Sequence, residues 1–213
     1  MPPMNGFGIV VLASGAGTNL QAIIDELHGS ETAGGGAVEV VGVASDKPGA
    51  RALERAAEAG IPTAVFSGEE YGDRAARDGA MADWIEASGA DLVVLAGYMQ
   101  LLSPPFVARF RERIVNVHPA LLPSFPGLDA VGQALEHGVR VTGVSVHFVD
   151  EGVDSGPVIA QRTVPVPPDR DRAALEEAIH RTEHALYPEA IRMIAEGRVR
   201  IDRRNPRLVL IDE

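Results

Sequence analysis

A chain of 213 residues suffices for one large domain or two intimate subdomains that bury their core without staples, and the absence of cysteine excludes a disulfide framework, a thiolate nucleophile and a Cys-ligated zinc site. The formal charge of −11 argues against a nucleic-acid partner, because phosphate-backbone binding needs a concentrated basic surface. Met1 to Asn5 lack the features of a signal peptide and the apolar runs are only strand-sized, so the composition reads as a soluble cytoplasmic protein with no membrane segment.

Phe7 to Ala13 form an apolar run that ends in the glycine turn Ser14-Gly15-Ala16-Gly17-Thr18, after which Asn19 opens a helical stretch with Leu20, Ile23, Ile24 and Leu27 on one face. Gly29 to Gly36 read as a flexible insertion. Strands are predicted at Val38 to Ala44, Thr63 to Phe66 and Leu92 to Ala96, with helices at Ala50 to Ala59 and Arg74 to Ala87 between them. Apolar strands alternating with amphipathic helices specify an open, doubly wound, mostly parallel α/β sheet with helices on both faces, whose ligands bind at the carboxyl ends of the strands. Ser103-Pro104 introduce a short helix over Phe106 to Phe110, and the strand Ile114 to Val117 then puts His118 at a carboxyl end. Leu121 to Gly127 is a proline-rich structured loop, followed by a helix over Ala130 to His137. Val141 to Val149 and Val158 to Val166 read as strands joined by the loop Asp150 to Pro157. Arg172 to Glu196 is a long helical pattern, with a kink or restart expected at Pro188. No linker separates two domains.

Asn116-Val117-His118-Pro119 puts an amide and an imidazole on one face of a strand end, with Asp154 in a later loop available to hold or charge the ring. That combination suits acyl-group chemistry in which an oxyanion develops. The glycine turn offers close backbone approach and free N–H groups at a helix start, which suits a single phosphate. A dinucleotide fits less well, since Leu20 stands where a small residue is required, although Asp46 lies near the end of the second strand as that reading needs. The missing Gly-Lys-Ser/Thr ending excludes a Walker loop. His147, mid-strand in an apolar alternation, reads as structural or as supporting another residue. His180 and His184 have metal-compatible spacing but no third ligand, so no metal is expected. Arg74 and Glu183 are, on their own, compatible with a solvated helix face.

The segments Ile9 to Ile23, Val93 to Met99, Asn116 to Pro123, Gly143 to Val149, Asp154-x-Gly156-Pro157 and Glu183-His184-x-Leu186-Tyr187-Pro188 together resemble the phosphoribosylglycinamide formyltransferases, within the wider group of 10-formyltetrahydrofolate enzymes. The resemblance runs nearly end to end. It implies a single formyltransferase domain over residues 1–213, with a phosphate-binding Rossmann-like half at 1–100 and a catalytic and folate-binding half at 101–213. The implied reaction moves the formyl group of 10-formyltetrahydrofolate, the co-substrate, to the glycinamide amine of 5-phosphoribosylglycinamide in purine synthesis. Carried over by position, Asn116, His118 and Asp154 are catalytic. Gly17, Thr18, Asn19, Arg74 and Glu183 hold the ribonucleotide, while Met99, Gln100, Leu101, Leu102, Val107 and Val149, with Asn116 and Asp154, surround the folate.

The resemblance further implies small-molecule substrates, no metal, and a monomer or homodimer. Gln100 stands where an arginine often follows the methionine, which weakens one expected contact to the folate's glutamate tail. Ser124, Asp129 and Val131 replace a lysine and two histidines common in the group. The alternative enzyme is a formyltetrahydrofolate hydrolase with the same three catalytic residues. A methionyl-tRNA formyltransferase is opposed by length and charge, and a non-catalytic binding module by the intact Asn116, His118 and Asp154.

Overall fold

The computed structural model describes residues 6–212; Met1 to Asn5, read above as lacking a signal sequence, lie outside the described residues. Two compact units make up the chain, Met1–Val115 and Asn116–Glu213.

In the first unit β1 (Phe7–Leu12) is apolar along its length because both its faces are covered, and Ile9, Val10, Val11 and Leu12 expose nothing. It leads into α1 (Thr18–Leu27), which turns Leu20, Ile23 and Leu27 inward. The order continues β2 (Ser30–Glu31), β3 (Ala37–Ser45), α2 (Arg51–Glu58), β4 (Thr63–Val65), α3 (Arg74–Ala87), β5 (Leu92–Leu95) and α4 (Pro104–Arg109). β1 pairs in parallel with β3 on one side and β5 on the other, and β4 adds in parallel to the outer edge of β3. The chain thus winds away from β1 in two directions, so the loops leaving β1 and β5 meet at a switch point of the kind that binds ligands in open α/β sheets. They are joined there: Ser14 N–H donates to Gly97 O at 3.1 Å, and Met99 N–H to Ser14 Oγ at 2.9 Å.

The Gly29 to Gly36 segment is a paired hairpin rather than the expected flexible insertion. β2 pairs antiparallel with the start of β3, and Thr32 donates to Gly36 O through both its backbone N–H (2.7 Å) and its hydroxyl (2.8 Å).

The chain enters the second unit within β6 (Ile114–His118) and continues α5 (Ala130–Glu136), β7 (Val141–Phe148), β8 (Val158–Pro165), α6 (Arg172–Ala195), β9 (Val199–Ile201) and β10 (Val209–Ile211). β6 neighbours β7, and β7 pairs antiparallel with β8. Between those two strands the chain closes on itself at Gly156, where a Cβ would lie 1.9 Å from Phe148 O, so no side chain fits. Asp171 caps α6 by accepting from Ala173 and Ala174 N–H. The restart expected at Pro188 does not occur. Proline removes one N–H from the helix, but Leu186, Tyr187, Ala190 and Ile191 around it are buried, and their packing outweighs one missing bond. The hairpin of β9 and β10 forms a separate two-stranded sheet that the residue pattern did not reveal.

Candidate active site

Asn116 and His118, two apart on β6, share a face as their spacing predicts, and Asp154 reaches both from the loop between β7 and β8. Asp154 Oδ2 lies 3.4 Å from His118 Nδ1 and accepts from Gly127 N–H at 2.7 Å. Its Oδ1 lies 3.5 Å from Asn116 Nδ2 and 3.6 Å from His147 Nε2, and Asn116 Nδ2 is 3.3 Å from that same imidazole nitrogen. His147 therefore belongs to the cluster as its fourth member. Asp154 holds φ 49°, a left-handed conformation that aspartate tolerates better than most residues and that is common where function fixes the backbone.

The backbone settles where the ring protons sit, because a carbonyl oxygen can only accept. His118 Nε2 is 2.8 Å from Phe125 O, so Nε2 carries a proton and the Nδ1 edge faces the carboxylate. His147 Nδ1 is 2.8 Å from Phe148 O, which leaves its Nε2 toward Asn116 and Asp154. Burial pushes the Asp154 carboxyl upward, but the His147 imidazole, the Gly127 N–H and the nearby charge of His118 outweigh it and hold the group below its ordinary value. Asp154 is thus a carboxylate at neutral pH, and an imidazolium at His118 finds an acceptor for each N–H.

The loop after β6 is fastened by Ser145 and Gln161. Leu122 N–H and Gln161 Nε2 donate to Ser145 Oγ at 3.0 and 2.9 Å, and Ser145 donates to Ala120 O at 2.6 Å. Asp129 and Val131, the departures noted above, have structural work here: Asp129 caps α5 and pairs with Arg172 at 2.7 Å, and Val131 is buried.

In the first unit Gly17 is the N-cap of α1 at φ 70° and is packed so tightly that a Cβ would lie 2.8 Å from Ala52 Cα. It has no side chain with which to cap the helix. Thr18 is exposed and Asn19 half-buried at the same helix start. Arg55, which the sequence did not single out, braces the turn by donating to Ala16 O at 2.9 Å and to Gln21 Oε1 at 2.8 Å. Arg74 is exposed at the first position of α3. Met99 and Leu101 project outward at 64% and 66% exposure, Leu102 is half-buried and Val107 buried. Gln100 donates to Asp46 Oδ2 at 2.9 Å, so Asp46 is engaged by a side chain of its own unit.

In the second unit Val149 is half-buried, and Glu183 on α6 is 5% exposed, which removes the solvated-face reading for it. His180 and His184 stack with ring centroids 6.4 Å apart, and burial followed by the charge of His180 holds His184 below its usual range. Among the described residues no group of three or more His, Asp or Glu side chains is arranged to hold a metal, and no helix is long and apolar enough to cross a membrane.

An Asn-His-Asp cluster at a strand end of an α/β sheet is compatible with group-transfer chemistry. Residues 7–191 match the Formyl transferase family, and the chain belongs to it. It is 39% identical over 184 residues to the phosphoribosylglycinamide formyltransferase of Bacillus subtilis, covering 86% of this chain and 92% of that one. It is 46% identical over 189 residues to the trifunctional purine biosynthetic protein adenosine-3 of Drosophila melanogaster, covering 89% of this chain but spanning only 14% of that longer protein. The crystal structure of glycinamide ribonucleotide transformylase 1 from Symbiobacterium toebii superposes with a TM-score of 0.90 at 46% identity, over 98% of this chain and 95% of that one. The likeness shows the mixed, mostly parallel α/β architecture expected from the strand and helix alternation.

Proposed function

We propose that this protein transfers the formyl group of 10-formyltetrahydrofolate to the glycinamide amine of 5-phosphoribosylglycinamide, giving formylglycinamide ribonucleotide and tetrahydrofolate in de novo purine synthesis. The observation that carries this reading is the Asp154 carboxylate with His118, Asn116 and His147 around it, in a chain of the Formyl transferase family. The amine attacks the formyl carbon, and the carbonyl oxygen gains negative charge. An N–H of Asn116 and the Nε2–H of His118 stabilise that oxyanion, the former by leaving Asp154 or His147 and the latter by exchanging Phe125 O for the substrate oxygen. Asp154 supports the cationic form of His118 by charge attraction. The proton lost by the attacking nitrogen reaches the departing folate nitrogen by way of His118, Asp154 or a water between them.

In this reading Gly17, Thr18 and Asn19 hold the phosphate through the start of α1, Arg74 adds positive charge, and Glu183 holds the glycinamide part. Met99, Gln100, Leu101, Leu102, Val107 and Val149 form the folate's surroundings. The whole works as one domain, a phosphate-binding half at 1–100 and a catalytic half at 101–213, with small-molecule substrates, no metal, and a cytoplasmic setting as monomer or homodimer. The test is tetrahydrofolate release from 10-formyltetrahydrofolate with and without 5-phosphoribosylglycinamide. Release that requires the amine supports the transferase. Equal release without it, with formate as product, identifies a hydrolase, and no release in either case overturns both.

A further inference from the structure

The loop Gly97 to Ser103 carries four of the side chains proposed to meet the folate, and it rests on a chain of buried charge that the reaction does not use. Arg77 and Asp78 are adjacent on α3 and exposed by only 4% and 0%. Arg77 donates from Nε and a terminal nitrogen to Asp78 Oδ1 at 3.0 and 2.8 Å. Its remaining reach goes to the loop, to Gln100 Oε1 at 3.3 Å and Leu101 O at 3.5 Å. The other oxygen of Asp78 accepts Ser103 N–H at 2.6 Å. Gln100 then passes the chain on, donating through Nε2 to Asp46, itself 8% exposed, at 2.9 Å. The loop is tied from within at residues 100, 101 and 103, while the side chains of Met99 and Leu101 face outward.

Chemistry fixes the direction of the Gln100 amide. A guanidinium only donates and a carboxylate only accepts, so Oε1 must face Arg77 and Nε2 must face Asp46. A glutamate at 100 would confront the Asp46 carboxylate, an arginine would confront Arg77, and an apolar side chain would leave both buried partners short of a bond. Gln100 is itself exposed, but both polar atoms of its amide are directed at Arg77 and Asp46 beneath the loop.

We infer that Gln100 is a positioning residue, which with Arg77 and Asp46 sets the pose of the co-substrate loop and makes no contact with the glutamate tail of the folate. This rests on the transferase reading above. The test compares the full chain with Gln100→Glu and with Gln100→Glu combined with Asp46→Asn, in which a carboxylate at 100 again meets one donor on each side. With the transferase assay, Gln100→Glu raises KM for 10-formyltetrahydrofolate about tenfold and lowers kcat less, and the second change brings KM back to within about threefold. The rise is equal for co-substrates with and without the glutamate tail.

Backbone hydrogen exchange at Leu101 to Ser103 reads the brace without turnover, faster in Gln100→Glu and restored in the double variant. A wild-type protein that fails to turn over sinks the transferase reading and leaves this exchange readout standing. A KM rise confined to the tailed co-substrate, a rise that Asp46→Asn does not reverse, or exchange unchanged by Gln100→Glu overturns the brace.

Discussion

Replacing Asp154 with asparagine isolates the charge of the proposed catalytic cluster from its shape. Asparagine tolerates φ 49° as well as aspartate does, and its carbonyl oxygen keeps the 2.7 Å bond from Gly127 N–H, so the loop retains its course. What disappears is a unit negative charge 3.4 Å from His118 Nδ1. At that separation the attraction to an imidazolium amounts to about 2.5 to 5 kcal/mol for effective dielectrics of about 40 and 20, and the side chain is only 14% exposed, so solvent screens it incompletely. If the cationic ring is required in the transition state, kcat/KM falls by about 10²- to 10⁴-fold. The assay is tetrahydrofolate release with 5-phosphoribosylglycinamide present, run beside urea unfolding to verify that the variant is folded. A folded Asp154→Asn protein with kcat/KM within about threefold of wild type would refute the assignment of Asp154 as the charge that supports His118.

Three further outcomes follow from particular contacts. Arg77→Met leaves the wholly buried Asp78 with Ser103 N–H but no counter-charge, and stability should fall by about 3–5 kcal/mol, read as a lowered urea midpoint; an unmoved midpoint contradicts the pairing. Gly156→Ala must push a methyl to within 1.9 Å of Phe148 O or shift the backbone two residues from Asp154, and a loss of about 1–3 kcal/mol accompanied by reduced turnover is expected. The third concerns acid. The carboxyl of Asp154 sits lower in the folded chain than its ordinary 3.8, so its contribution to stability is complete above that value and is lost as pH falls through the folded one. The difference in unfolding free energy between wild type and Asp154→Asn should therefore be level near neutrality and shrink below pH 3.8; a difference that shrinks at neutral pH instead contradicts the depression.

Much of the fold was legible because strands covered on both faces must be apolar throughout and therefore stand out between amphipathic helices. The helix predicted over Arg74 to Ala87 has those same bounds, and the strands around Leu92 and Ile114 differ by one residue at an end. What escaped depends on pairing rather than on local pattern. β2 has two residues and β9 and β10 three each, too few to show a period, and each exists through the partner it meets. At Pro188 the helix continues without the restart that was one of the two expected outcomes, since a local rule about one missing N–H takes no account of the core packed on either side of it.

The site divides along the same line. Asn116 and His118 announce themselves because a spacing of two on a strand fixes a common face, whereas Asp154 reaches them from a loop whose course no spacing determines, so the residues offered it as a candidate that the family resemblance then strengthened. His147 reads as structural or as supporting another residue, and its position carries the reason. It alternates with Ser145 inside a strand where every other residue from Val144 to Phe148 is apolar and buried. Polar side chains in such a strand must find partners, and both do: Ser145 fastens the loop that follows His118, and His147 faces Asp154. Gln100 carries no comparable mark. Its amide is directed by Arg77 and Asp46, 23 and 54 positions away, and the consequence of placing a glutamine there appears only when those two charges are seen on either side of it. A substitution that resemblance counts as a lost contact to a ligand is thus, in three dimensions, a bond gained between a cation and an anion beneath the loop.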